Sequence, residues 1–169
     1  RDCMADSIPI IVICGQVATN AIGTDAFQEA PVSSIMGAVA KHVYLVTEPK
    51  LLEDTVRSAF EIARTGRPGP VVIDIPKDIQ NWKGRYKGIG LLPMPGYKSR
   101  LKKVNSNSLD AESCKGFFNL LQNSKRPLIY AGGGVVNSNS SEELREFAIE
   151  HQIPVVTTLM GIGSFNTKH

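Results

Sequence analysis

The chain has 169 residues, 42% of them apolar, and 19 Lys and Arg against 16 Asp and Glu, for a net charge of +3. That length fits one domain or parts of two, the slight positive balance gives no reason to invoke nucleic acid, and no apolar run reaches the roughly 18 residues of a membrane span. Cys3, Cys14 and Cys114 form neither a CxxC pair nor a zinc spacing, the pattern of reduced, structural thiols in a reducing compartment. The opening RDCMADS carries no signal-peptide pattern. It and the closing SFNTKH both read as interior sequence, so an internal segment of a longer chain is expected.

In chain order, the first element is IPIIVIC (8–14), a continuous β-branched run that reads as a strand covered on both faces. The octet IGTDAFQE (22–29) follows it, a mixture of small, acidic, aromatic and amide residues in a post-strand loop, where function is often placed. PVSSIMGAVA (31–40) predicts a short helix with Pro31 in its first turn, and VYLV (43–46) a short strand. PKLLEDTVRSAFEIART (49–65) predicts a longer helix, with Leu52, Val56, Ala59, Phe60 and Ala63 on its core face and Gly66 ending it at C′. PVVIDI (70–75) reads as a second buried strand. Strands alternating with helices argue for an α/β fold, a parallel sheet flanked by helices.

Composition then shifts. Residues 80–107 hold four glycines and two prolines, and Lys83 to Lys103 contains seven basic residues and no acid. This reads as an interdomain linker, with an anion-binding surface as the alternative. The pattern resumes with a helix over 108–123, capped by Ser108 and with Phe117, Leu120 and Leu121 on its apolar face. RPLIYAGGGVV is a strand entering a glycine turn. SSEELREFAIEHQ is a helix whose Ser140 and Glu143 have the spacing of a capping box. IPVVTTLMG is a further strand with its exit loop.

The glycine turn is not a dinucleotide fingerprint, because Asn137 stands where GxGxxG needs its last glycine. GRPGPVVIDIPKD (66–78) is more distinctive. It encloses Arg67 between Gly and Pro and places Lys77 and Asp78 at the carboxyl end of a strand, the end that faces the ligand crevice in open α/β sheets. Plainer roles are available: Arg67 as a cap on the preceding helix, Lys77 and Asp78 as a surface ion pair. There is no Ser-His-Asp set, no HExxH and no Walker loop, so no side-chain nucleophile is evident, and an organic cofactor is the expected source of chemistry.

Taken in order, GQV, IGTDAFQE, KH, GRPGPVVIDIPKDIQ, PLIYAGGGV and IPVVTTLMGIGSF resemble the large catalytic subunit of acetohydroxyacid synthase, or acetolactate synthase, over essentially all 169 residues. GRPGPVVIDIPKD by itself is similar to thiamine-diphosphate enzymes generally, whereas IGTDAFQE and TLMG narrow the likeness. The resemblance implies residues 1–80 as the end of a pyrimidine-binding domain, 81–107 as linker and 108–169 as the start of a central domain. It implies thiamine diphosphate, Mg2+ and FAD as cofactors of the full-length enzyme, with no metal held here. It implies pyruvate and 2-ketobutyrate as substrates, and decarboxylation of pyruvate with transfer of its two-carbon unit to a second 2-keto acid in valine, leucine and isoleucine biosynthesis.

By the same resemblance, Phe27 and Gln28 face the thiazolium region, Lys41 edges the substrate channel, and Lys77 lies near its mouth. Ser7, Arg67, Gly133, Thr158, Leu159 and Met160 touch FAD. Ala18, Thr19 and Asn20 depart from the family's frequent Pro-Arg after GQV, at a position bordering an inhibitor-access channel. A homodimer or homotetramer is implied, with a small regulatory subunit as a possible partner, in the cytoplasm or in a plastid or mitochondrion. The family's activating glutamate and its metal-diphosphate motif fall outside these residues, so the segment alone is expected to be inactive. Another thiamine-diphosphate carboligase or decarboxylase, or a non-catalytic flavin- or partner-binding module, remain as alternatives.

Overall fold

The computed structural model describes residues 1–85 and 110–166 and divides the chain into two units, Arg1–Asn107 and Ser108–His169. In the first unit, strands β1 (Ile11–Gln16), β2 (His42–Leu45) and β3 (Val71–Pro76) form a parallel sheet in the order β1-β3-β2. β1 pairs with β3 from Ile11↔Val71 to Gln16↔Pro76, and β2 pairs from His42↔Val71 to Leu45↔Asp74. Helices α1 (Asp2–Ala5), α2 (Val32–Gly37), α3 (Leu52–Arg64) and α4 (Lys77–Gln80) connect or flank the strands.

β3 is central, and all six of its residues are buried, which explains its unbroken apolar run better than any alternation would. Helix α3 lays Ala59, Ile62 and Ala63 against Val71, Ile73 and Ile75, with Leu52 and Val56 packed at the margin. Small residues at 59 and 63 let the helix approach closely. Phe60, expected on this face, is 54% exposed, and Ile62 takes the core place. A turn of 100° per residue puts positions 60 and 62 on opposite flanks of the Ala59–Ala63 line, and packing selects the branched aliphatic side. Gly66, at φ +62°, ends the helix in the left-handed conformation that glycine adopts without a Cβ clash.

β1 departs from expectation. Ile11 packs on the core, but Ile13 is 64% exposed, so the strand is not covered on both faces. A helix about 10–12 Å wide covers about two strands spaced ~4.8 Å apart. α3 lies chiefly over β3, leaving the outer edge of β1 bare.

In the second unit, β4 (Ile129–Ala131) and β5 (Val155–Thr157) pair in parallel, Ile129↔Val155 to Ala131↔Thr157. Helices α5 (Ala111–Asn123), α6 (Gly133–Asn137) and α7 (Ser141–Glu150) accompany them, with Ala131, Ala148 and Ile153 buried. The cap of α5 is Asp110, whose carboxylate accepts from the Ser113 amide at 2.6 Å and hydroxyl at 2.9 Å. The expected cap, Ser108, lies outside the described residues, as do residues 86–107 of the expected linker. The apolar face expected for α5 is only partly covered: Leu120 is 76% exposed, Phe117 is half exposed with its ring against those of Phe118 and Phe147, and Leu121 is half-buried. The capping box of α7 is not formed. Ser140 turns its hydroxyl back to Ser138 instead of forward to the helix amides.

Ile73, fully buried at the sheet centre, sets a stability test. Ile73→Ala is expected to cost about 2–5 kcal/mol, read as a lower urea midpoint with an unchanged slope.

Candidate functional site

The first-unit residues singled out above divide between the two ends of the first sheet. At the carboxyl edge, β1 delivers the chain at Gln16 into the loop that carries Ala18, Phe27 and Gln28, while β3 ends at Pro76 and passes directly into Lys77 and Asp78. The two exits are tied together. Asp78 accepts from the Thr19 amide at 2.9 Å and from its hydroxyl at 2.6 Å. These bonds, the hydroxyl foremost, hold the Asp78 carboxyl below its ordinary pKa. The turn Thr19–Ala21, begun by Ala18, therefore stands beside α4 and its exposed Lys77. Asp78 serves that turn, and no Lys77–Asp78 ion pair forms.

Beneath the loop sits a buried polar pair that the sequence reading passed over. The Gln16 amide nitrogen donates to the Ala30 carbonyl at 2.8 Å and to Asp74 Oδ2 at 3.1 Å, and Gln16 Oε1 accepts from the Val17 amide at 2.9 Å. Gln16 thus joins the start and the finish of the loop to the middle of β3. Asp74 is 2% exposed, and its Oδ1 has no hydrogen-bond partner among the described residues. Burial pushes its carboxyl above the ordinary value, partly offset by Gln16.

Higher in the loop, the Glu29 carboxylate turns inward to the amides of Gly23 and Ala26, the latter at 3.1 Å. Amide donors, Gly23 foremost, hold its pKa below the ordinary value. Gly23, Asp25 and Gln28 all have positive φ, at 84°, 56° and 67°. Phe27 is 90% exposed. The octet is therefore a chain of tight turns that faces Phe27 and Gln28 outward. Glu29 was within the octet the sequence singles out, but a carboxylate bound by backbone amides leaves no side-chain pattern to detect.

The amino edge holds the other set. The Lys41 amide bonds the Pro70 carbonyl at 2.7 Å, just before the first β2–β3 pair. Its ammonium bonds the carbonyls of Ile62 and Thr65, the latter at 2.7 Å. Lys41, not Arg67, caps the carboxyl end of α3, and burial lowers its pKa. A Cβ at Gly69 would come within 2.9 Å of the Lys41 stem, so glycine there makes room for that lysine. Five steps along β3, about 17 Å, separate this edge from the exits carrying Gln28 and Lys77, and the structure does not bring Lys41 to them. Arg67 donates to Ser7 Oγ at 2.9 Å, to the Ala5 carbonyl at 2.6 Å and to that of Met4 at 3.3 Å. Ser7 and Arg67 therefore touch each other, with the guanidinium latching the end of α1.

In the second unit, Gly133 and Thr158–Met160 come together at the carboxyl ends of neighbouring strands. The Thr158 amide bonds the Ala131 carbonyl at 2.9 Å, and Thr158 Oγ1 accepts from the Gly161 amide at 3.1 Å. A Cβ on Gly133 would lie 3.0 Å from both Cβ and O of Met160, so glycine there permits the two loops to touch. Leu159 is 82% exposed and Met160 50%, an apolar ledge beside backbone amides. Among the described residues no cluster of His, Cys, Asp or Glu suits a metal ion, and no helix is long and apolar enough to cross a membrane.

Two parallel α/β units with these exit loops have recognisable relatives. Residues 115–169, nearly all of the second unit, match the central domain of thiamine pyrophosphate enzymes. The curated relatives that the chain resembles over nearly its whole length include acetolactate synthases. It is 46% identical over 166 residues to acetolactate synthase 2, chloroplastic, of Nicotiana tabacum, covering 98% of this chain and 24% of that protein. It is 41% identical over 168 residues to the acetolactate synthase large subunit of Corynebacterium glutamicum, 99% of this chain and 26% of the relative. It is 44% identical over 168 residues to the probable large subunit of Methanocaldococcus jannaschii, 98% and 27%. The chain thus spans about a quarter of the length of the curated relatives it matches.

Asp74 supplies a pH test. Its raised pKa makes the neutral form the better fit to the fold. The stability this represents is whole below the ordinary carboxyl pKa and lost as pH rises through the folded value. Asp74→Asn, permanently neutral, is expected to melt higher than the parent chain at pH 7. The gap should narrow as pH falls toward about 4 in thermal melts followed by circular dichroism.

Proposed function

We propose that this chain forms part of an acetolactate synthase catalytic subunit, which decarboxylates pyruvate and condenses the two-carbon unit with a second 2-keto acid, pyruvate or 2-ketobutyrate. The observation that carries this is the 41–46% identity to acetolactate synthases across nearly the whole chain. On this reading residues 1–80 end a pyrimidine-binding domain, 81–107 link, and 108–169 begin the central domain. The full-length protein would work as a homodimer or homotetramer, with or without a small regulatory subunit, in the cytoplasm or in a plastid or mitochondrion.

Thiamine diphosphate, when bound, supplies the electron sink for decarboxylation and carbon–carbon bond formation. The carboxyl-edge loop fits that group: Phe27 offers an exposed ring face and Gln28 a polar amide from one rigid turn. Gln28 would hydrogen-bond where charge develops, and Phe27 would exclude water beside it. Ala18 and Lys77, side by side at the same edge, would border the approach of substrate or inhibitor. Lys41 enters as a channel residue by resemblance alone, since its ammonium is engaged on α3.

FAD is assigned two sets of residues, one in each unit. Leu159 and Met160 would support a flat ring, with Gly133 and Thr158 presenting backbone amides, while Ser7 and Arg67 suit polar or anionic atoms. Mg2+ enters by the resemblance alone, which assigns its ligands to no residue of this chain.

The reading is tested by product analysis of the full-length protein with pyruvate, thiamine diphosphate, Mg2+ and FAD. Acetolactate supports it, and acetaldehyde as sole product identifies a decarboxylase instead. In that protein Gln28→Ala should lower kcat by about 10²–10³-fold while leaving the thiamine diphosphate Kd within a few-fold. An unchanged kcat at saturating cofactor and pyruvate would remove Gln28 from the reaction.

A further inference from the structure

Residue 28 is a glutamine at φ 67°, a conformation L-residues avoid because Cβ crowds the backbone. Asp25, at φ 56°, shares it three residues earlier, although Asp is better suited to that region. Such conformations persist only where the surroundings over-determine them. Phe27 is almost fully exposed, so its packing does not fix the turn. Beside the Asp78 tie at Thr19 and the Thr24 hydroxyl bond to the Ala21 carbonyl at 2.8 Å, two side chains restrain the Gln28 end of the loop. At its base, Gln16 holds the Ala30 carbonyl at 2.8 Å. At its tip, Glu29 reaches across the turn, one carboxylate oxygen on the Gly23 amide and the other on the Ala26 amide. A returning bond, Glu29 amide to Ala26 carbonyl at 2.9 Å, completes the closure.

We propose that Glu29 is the positioning residue of this loop: its carboxylate, bridging the Gly23 and Ala26 amides, holds Gln28 in its left-handed conformation and thereby aims the Gln28 side chain. The proposal rests on the reading of Gln28 as a group at the reacting centre. It assigns Glu29 no proton transfer and no ligand, because both carboxylate oxygens are engaged by the loop's own backbone. The lowered pKa of Glu29 agrees with a carboxylate kept ionised in that bridge. Gln in its place has the same length but only one acceptor oxygen, and turns an NH2 group toward an amide that needs an acceptor.

The experiment is a double-mutant cycle in the full-length subunit, Glu29→Gln and Gln28→Ala singly and together, with hydrogen exchange by mass spectrometry over residues 22–29. Glu29→Gln is expected to speed exchange across that segment while β3 is unaffected. It should lower kcat about tenfold with KM for pyruvate within about threefold. In the Gln28→Ala background it should lower kcat by less than about twofold, because the group it aims is gone. A merely structural Glu29 would give additive losses. Unchanged exchange, or additive losses beside a large Gln28→Ala effect, overturns the proposal and leaves the functional reading standing. A Gln28→Ala enzyme with full kcat overturns both.

Discussion

The first unit hangs from β3. All six of its residues are buried, and it has a partner strand on each side, β1 along its whole length and β2 as far as Asp74. Its two ends are therefore fixed points, and the loops that hold the candidate site residues are fastened to them. Asp78, two residues past the strand, holds the Thr19 turn. Asp74, within it, holds Gln16 and through Gln16 the foot of the Phe27–Gln28 loop. At the other end, Pro70 receives Lys41, and Arg67 secures the end of α1.

Asp74 shows what such fastening costs. A buried carboxyl with one unbonded oxygen is a poor component for a core, since an unsatisfied buried acceptor is worth roughly 1–3 kcal/mol against folding. Placed there, however, it reaches the loop from below with a short side chain on a rigid strand. A loop tied only to other loops would move with them. A local rule is broken at the place where a candidate active-site element must be held, which is where such exceptions are expected.

The strands and the long helix α3 were legible in the sequence, because burial on a regular element imposes a period that survives in residue type. The limits of that signal show at particular residues. Phe60 and Ile62 flank the same helical line, and period alone does not say which side the sheet takes. Ser140 has the spacing of a capping box, but its hydroxyl had a nearer partner in Ser138. Ile13 belongs to a run that reads as buried, yet it stands on an edge strand two residues beyond Ile11, the one that packs on the core, and is 64% exposed. Within the candidate site, the octet stood out as a loop of unusual composition. The ties that shape it run from Gln16, Glu29 and Asp78 to backbone groups, and backbone groups carry no sequence signal.

The strand order has a consequence for the growing chain. β1 pairs with β3, not with β2, so Ile11 must wait for Val71, 60 residues later (71 − 11). At 5–20 residues per second, synthesis of that interval takes about 3–12 s. Through that interval the β3 partner of Ile11 does not yet exist. An unpaired β-branched run is an aggregation hazard, and the time it spends without this partner is set by topology rather than by its own sequence.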